Sequence, residues 1–291
     1  MTPAGTLYVV ATPIGHLGDV SARAREVLAA VALVAAEDTR HTGRLLKALG
    51  LTRPMLSLHE HNERERSTEV IGRLRAGEDV ALVSDAGTPL VSDPGFTLVR
   101  AAVDAGVRIV PVPGACAVIA ALSVAGLPTD RFCFEGFLPA RRAARRKRLA
   151  ELAGETRTLV FYEAPQRIRE ALEDAAEALG TGRRAVVARE LTKLHETVYH
   201  GSLGELAAQA AGDEDMSRGE IVLLVAGAEL QPAGAGEEPD RTLQVLLKFM
   251  PASRAAAVAA QLTGARRNDC YRRALELSPG APSGPDDGPL V

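Results

Sequence analysis

The sequence predicts an α/β protein with strands buried on both faces, followed by a small all-helical piece. Three observations lead there. Short Val/Leu/Ile-rich runs recur at 7–11, 32–36, 80–83, 108–112, 131–134, 158–162, 185–188 and 221–225, and continuous apolar runs of this length suit strands covered from both sides. Amphipathic stretches with helix start and stop signals separate many of them. The pattern then breaks at an acidic, Gly/Pro-rich segment, 231–241, beyond which 242–277 reads as helical throughout. At 291 residues, 46% hydrophobic and 24% charged, the chain has the length of about two domains and the composition of an ordinary globular protein.

In chain order, the run at 7–11 leads into Thr12-Pro13-Ile14-Gly15. The stretch 20–30 is preceded and entered by Asp19 and Ser21, both residues that cap a helix. The run at 32–36 leads into Glu37-Asp38-Thr39-Arg40-His41-Thr42. Residues 63–76 set Val70, Ile71 and Leu74 against a charged face, with Asn62 placed to cap them. The run at 80–83 opens onto a loop, 84–95, and the helix 96–105 follows Pro94 and stops at Gly106. Gly126 and Pro128 interrupt the pattern, which divides the α/β part into 1–127 and 128–230. A helix over 166–179 follows Pro165 and stops at Gly180. The linker 231–241 follows. In 242–277 two helices, 253–262 and 268–277, flank Gly264 like a helix-turn-helix unit, with Arg266, Arg267, Arg272 and Arg273 on or before the second. The Pro/Gly/Asp-rich tail 278–291 is expected to be disordered. Eight strand–helix units alone would also fit a closed (β/α)8 barrel.

Composition excludes several classes of function. Lys and Arg total 34 against 37 Asp and Glu, a net charge of −3, so the chain has no general basic coat for nucleic acid. Six Phe, four Tyr and no Trp argue against stacking platforms for bases. Cys116, Cys133 and Cys270 are odd in number and far apart, which fits neither a zinc knuckle nor a disulfide framework and suits a reducing compartment. With no leader-like or membrane-spanning stretch, the expectation is a cytoplasmic protein that does not enter membranes. His59 and His61 alternate but have no evident third ligand, so no metal site is expected. A phosphate-binding G-x-x-x-x-G-K-[ST] is absent, and no G-x-G-x-x-G follows the first strand.

In open α/β sheets ligands bind at the carboxyl ends of strands. Here those ends carry small, Gly/Pro-rich or acidic loops: 12–19, 37–42, 84–95 and Pro113-Gly114-Ala115-Cys116-Ala117. Asp85 and Asp93, with no lysine, stand in the third. Such a pocket suits a neutral or cationic ligand bearing hydroxyls.

Val10-Ala11-Thr12-Pro13-Ile14-Gly15, Glu37-Asp38-Thr39-Arg40, the twelve residues 84–95 (SDAGTPLVSDPG) and Phe134-Glu135-Gly136-Phe137-Leu138-Pro139 together resemble the tetrapyrrole-methylase superfamily, and within it the branch that methylates small-subunit ribosomal RNA. Phe161-Tyr162-Glu163, 188–193 (ARELTK) and 219–223 (GEIVL) extend the resemblance, which departs at Ala115, where that branch usually has Pro. The resemblance implies a class III methyltransferase of two α/β domains with S-adenosylmethionine in the cleft between them. It implies methyl transfer to the 2′-hydroxyl of a cytidine in 16S rRNA, and a homodimer. Pro13, Asp85, Gly87, Thr88, Cys116 and Ala117 would line one wall, and Tyr162, Leu191, Glu220 and Ile221 the other.

Such chemistry needs alignment and a base for a weakly acidic hydroxyl. Glu37, Asp38 and Arg40 are the favoured catalytic group, with His41, His59, Glu60 and His61 as further candidates. A local pairing that caps the next helix is the competing reading of the cluster. Arg141, Arg142, Arg145, Arg146, Lys147 and Arg148 put six cations in eight residues, a candidate grip on RNA phosphates. The C-terminal helices are expected to dock RNA or to stabilise a dimer. Two other readings remain beside this one: methylation of a small tetrapyrrole, and a ribosome-assembly module with an inactive cleft.

Overall fold

The apolar runs become strands, and two further strands complete a pair of five-stranded sheets among the described residues. The computed structural model describes residues 4–229 and 237–278. Met1–Ala228 and Glu229–Val291 fall into separate compact units.

The first sheet is parallel. Its elements are β1 (Thr6–Val10), α1 (Ala22–Ala30), β2 (Leu33–Ala36), α2 (Thr39–Ala48), β3 (Met55–Ser57), α3 (Glu63–Arg75), β4 (Val80–Val83), α4 (Phe96–Asp104), β5 (Arg108–Val112) and α5 (Ala117–Val124). The strand order is β3-β2-β4-β1-β5. Side chains alternate across a strand, so the central strand β4 feeds two cores. Val80 and Leu82 pack with Val70, Leu74 and Leu98 of α3 and α4. Ala81 and Val83 pack with Ala24, Leu28 and Leu46 of α1 and α2.

The second sheet is mixed. It follows through β6 (Phe132–Phe137), α6 (Arg142–Glu151), β7 (Thr158–Glu163), α7 (Ile168–Leu179), β8 (Arg184–Arg189), β9 (Thr197–Ser202), α8 (Leu203–Gly212) and β10 (Ile221–Val225). The order is β6-β7-β10-β8-β9, with only β6 and β7 parallel. One face is covered by α6, α7 and α8 through Leu149, Ile168, Leu172 and Leu206. The other meets α5: Val118, Ala121 and Leu122 pack with Val160, Val186, Val222 and Leu224. Thus α5, last in the first-sheet half, seals the second sheet and makes one unit of both. Two open sheets replace the closed barrel that the unit count alone allowed.

The second unit holds three helices where two were expected: α9 (Glu237–Leu246), α10 (Ala252–Thr263) and α11 (Arg267–Leu277). Helix α9 begins inside the expected linker 231–241, so that reading is corrected from residue 237 onward. Residues 231–236 and 279–291, most of the expected linker and tail, lie outside the described residues. Leu243, Ala255, Ala256, Ala259, Cys270 and Ala274 form a small core. Gly264 ends α10 in the left-handed region at φ 72°, and an Arg273–Asp240 ion pair (2.7 Å) joins α11 to α9.

Candidate active site

Parallel pairing brings the loops after β1, β2, β4 and β5 to one edge of the first sheet. They are tied to each other there. The backbone N–H of Thr12 donates to the Gly87 carbonyl (2.8 Å), and that of Gly87 donates back to Thr12 (3.1 Å). The Thr88 hydroxyl donates to the Ala115 carbonyl (3.0 Å). Leu90 and Ser92 adopt positive φ, 73° and 66°, a conformation that costs a side-chain-bearing residue free energy and persists only when its surroundings enforce it. The loop after β8 does the same at Glu190 and Thr192.

A cavity of about 350 Å³ lies between these loops and the ends of β7 and β10, at the small end of the size range for ligand pockets. Gly87, Thr88, Cys116, Ala117, Tyr162, Leu191, Glu220 and Ile221 line it. Pro13 and Asp85 are not among the lining residues; Asp85 instead accepts a hydrogen bond from the backbone of Asp38 (3.1 Å), bracing the β2 loop. Asp93, Phe137, Glu163 and Gly219 also line the cavity; of these the sequence pointed only to Asp93, as a carboxylate of the third strand-end loop. Phe137 arrives there through an irregularity in β6, where Gly136 takes φ 68°, and its ring packs 5.5 Å from that of Tyr162. Gly219 has φ 80°, and a Cβ on it would fall 2.3 Å from the Glu190 carboxyl carbon.

A latch closes one side of this cavity. Glu190 accepts from the Glu220 backbone (2.9 Å) and from Lys193 Nζ (2.9 Å). Lys193 also pairs with Glu220 (3.1 Å). The His16 backbone donates to the Thr192 hydroxyl (3.1 Å), and Gly15 leaves room for Lys193 and Thr192 against the β1 loop.

The cavity is apolar and acidic. Asp93, Glu163 and Glu220 are its charged lining residues; none is Lys or Arg. Glu163 is buried, pairs with Arg167 (2.6 Å) and is pushed up in pKa by its burial. Burial likewise raises Asp93, with neighbouring Asp85 adding to the effect. Glu37 does not line the cavity but lies in the Coulombic reach of Asp93, and its carboxyl is raised by burial, then by Asp93 and Asp85. Burial also holds the Tyr162 phenol protonated.

The three catalytic candidates separate by environment. Asp38 caps α2, accepting from the Arg40 backbone (2.7 Å), and its carboxyl also grips the Arg40 guanidinium (2.9 Å). Those contacts hold it down at about 2. Asp38 is thus a cap and a weak base. Glu37, partly buried among acids, is the better proton acceptor.

The basic run on α6 requires a correction. Arg145 is completely buried: it pairs with Asp174 (2.8 Å), also fully buried, and with Glu170 (2.9 Å). No phosphate reaches it. Its partners stand 25 and 29 residues away on α7, so the sequence run showed only one side of an ion-pair interface. Arg142 also holds Asp174 (2.9 Å), Arg146 pairs with Glu177, and Arg148 pairs with Glu135 and Glu151. Arg141 and Lys147 are exposed and engage no carboxylate among the described residues. Among those residues, no His/Cys/Asp/Glu group is arranged to hold a metal ion, and no helix is long and apolar enough to cross a membrane.

Comparison with known proteins gives concordant results. Residues 6–207 match the family model of the Tetrapyrrole (Corrin/Porphyrin) Methylases, and 233–278 match the RsmI C-terminal HTH domain. The chain is 57% identical over 276 residues to the ribosomal RNA small subunit methyltransferase I of Pseudomonas aeruginosa, covering 94% of this chain and 98% of that one. It is 50% identical to the protein of the same name from Escherichia coli O157:H7, covering 94% and 95%. Among solved structures, the methyltransferase CobJ superposes with a TM-score of 0.59 at 24% identity, covering 77% of this chain and 95% of that one. Uroporphyrin-III C-methyltransferase from Thermus thermophilus, complexed with S-adenosylhomocysteine, gives 0.53 at 20% identity, covering 76% and 97%.

Proposed function

The chain belongs to the tetrapyrrole methylase family and, within it, to the ribosomal RNA small subunit methyltransferase I family, and on that premise we propose that it transfers a methyl group from S-adenosylmethionine to the ribose 2′-hydroxyl of a cytidine in 16S rRNA. The observation that carries the cofactor assignment is the sign of the cavity. Apolar walls with Asp93, Glu163 and Glu220 and no lining cation fit an apolar body bearing a sulfonium. They offer no lining cation to a phosphate-bearing cofactor.

When bound, S-adenosylmethionine supplies a methyl group on a positively charged sulfur that leaves as a neutral thioether. The residues of the chain then have two tasks: alignment and proton removal. Gly87 and Gly219 supply the positive φ that the lining loops need, while Tyr162 and Phe137 close an apolar wall. Glu37 takes the proton from the ribose hydroxyl. Its raised pKa, caused first by burial and then by Asp93 and Asp85, makes it a stronger base than an ordinary carboxylate. Arg40 orients around Asp38 at the cleft rim, without touching the reacting atoms.

The same reading makes the C-terminal helical unit an RNA-docking module and the chain a cytoplasmic homodimer. Support for self-association is the exposure of Phe96, Ile119, Val124 and Leu194, and sedimentation measures it. The experiment on function is methyl transfer from labelled S-adenosylmethionine to undermethylated small ribosomal subunits, with uroporphyrinogen III in a parallel reaction. Label in the RNA and none in the tetrapyrrole is expected. The reverse outcome overturns the proposal.

A further inference from the structure

On α6, Arg145 is buried and Arg142, Arg146 and Arg148 share their charge with carboxylates, so a less compensated cationic face is the better partner for the phosphates that accompany the reacting ribose. Helix α2 supplies one. Its sequence, Thr39 to Ala48, contains Arg40, His41, Arg44 and Lys47 and no acidic residue. Thr42 and Leu46 are buried, whereas Arg40, His41, Arg44 and Lys47 are exposed. Arg40, Arg44 and Lys47 stand at i, i+4 and i+7, one face of the helix, and mark out about 10 Å of its axis. The Arg40 side chain is 88% exposed. Asp38 takes its Nε and one Nη2 hydrogen, which fixes the plane of the guanidinium and leaves its other N–H groups facing solvent. Arg44 and Lys47 engage no carboxylate among the described residues.

The position of this face matters as much as its charge. Residues 37 and 38 are all that separate β2 from α2, so the helix starts two residues after Glu37 at the carboxyl edge of the sheet. Asp38 is braced there by Asp85. The cationic face therefore runs outward from the acidic cluster. The adjoining segment after β3 carries both signs, Glu60 beside His59 and His61, and lacks such a stripe.

We infer that the exposed face of α2, through Arg40, Arg44 and Lys47, holds the phosphodiester backbone of the RNA while its ribose hydroxyl reaches Glu37. This rests on the RNA-methylation reading above. Anionic phosphates on α2 and the cationic sulfonium in an acidic cavity divide the two substrates by charge, so neither competes for the site of the other.

The test uses the full chain and undermethylated small subunits, with binding followed by filter retention between 50 and 300 mM salt. Single-stranded nucleic acid contributes about 0.7 to the log–log salt slope per phosphate neutralised. Arg40→Gln/Arg44→Gln/Lys47→Gln should therefore flatten the slope by about 2, and Arg44→Gln/Lys47→Gln, which keeps the Asp38–Arg40 pair, by about 1.4. Calorimetric affinity for S-adenosylmethionine should be unchanged in both. Arg141→Gln/Lys147→Gln on α6 serves as the comparison. An unchanged slope in both α2 variants, with wild type bound and methylating, overturns the α2 surface alone. Loss of cofactor affinity in the double variant also overturns it, because the helix would then be shaping the cavity. Wild type that binds cofactor yet neither binds nor methylates RNA fails the underlying reading, and the surface with it.

Discussion

Arg145 separates a structural from an RNA-gripping role for α6 with a single substitution. Arg145→Met keeps the volume and the apolar stem but removes the guanidinium from a site where both it and Asp174 are fully buried. Breaking a buried pair by removing one partner typically costs about 3–5 kcal/mol. The low end applies here, because Arg142 remains on Asp174 at 2.9 Å and Glu170, 61% exposed, recovers its water. A loss of about 3 kcal/mol lowers the midpoint of thermal unfolding by roughly 6–12 °C for a unit of this size. Urea melts at neutral pH, followed by far-ultraviolet circular dichroism, measure it. Arg145→Met/Asp174→Leu should regain part of the loss, since the isolated buried carboxylate is what costs most. RNA affinity per folded molecule should not change. Wild-type stability combined with weakened, less salt-dependent RNA binding would refute the reasoning.

Three further outcomes follow from the cleft. Glu37→Gln should slow single-turnover methyl transfer by about 10²–10⁴-fold with cofactor affinity retained; in the wild type, the acid limb of the rate profile should lie above the ordinary carboxylate range, because burial and Asp93 raise the Glu37 pKa. The same shifts act on stability: with the folded pKa of Glu37 and Asp93 above the unfolded values, their favourable contribution is complete at low pH and is lost as pH rises through the folded pKa. Glu37→Gln and Asp93→Asn should therefore raise the urea midpoint at pH 7 and leave it near wild type at pH 4; equal gains at both pH values would contradict the assignment. Gly219→Ala, whose Cβ meets the locked Glu190 carboxylate, should weaken cofactor binding on the order of tenfold, about 1.4 kcal/mol, measured by calorimetry.

What the sequence could show depended on where each residue lies. The runs at 80–83 and 221–225 coincide with β4 and β10 because both strands are interior and apolar on either face. The edge strands β3 and β9 escape notice: Met55–Ser57 is three residues long, and Thr197–Ser202 alternates no clear apolar face and includes His200 and Gly201. Much of the cavity was legible because Gly87, Thr88, Cys116 and Ala117 lie just beyond strand ends, where the parallel topology concentrates ligand contacts. Phe137 needed a bulge, and Gly219 needed the Glu190 side chain folded over it. Neither is a local property of the sequence. Arg145 escapes a sequence reading for the same reason: six cations in eight residues are visible in one dimension, whereas the acidic face of α7 opposite them is not.

The most direct measurement is the position of the transferred methyl. Undermethylated small subunits are incubated with the protein and labelled S-adenosylmethionine, the RNA is hydrolysed with alkali, and the label is traced. The account predicts label in an alkali-resistant dinucleotide beginning with cytidine, as a 2′-O-methyl ribose requires. Label released as a methylated base in an ordinary mononucleotide would contradict it, and the role assigned to Glu37 would go with it.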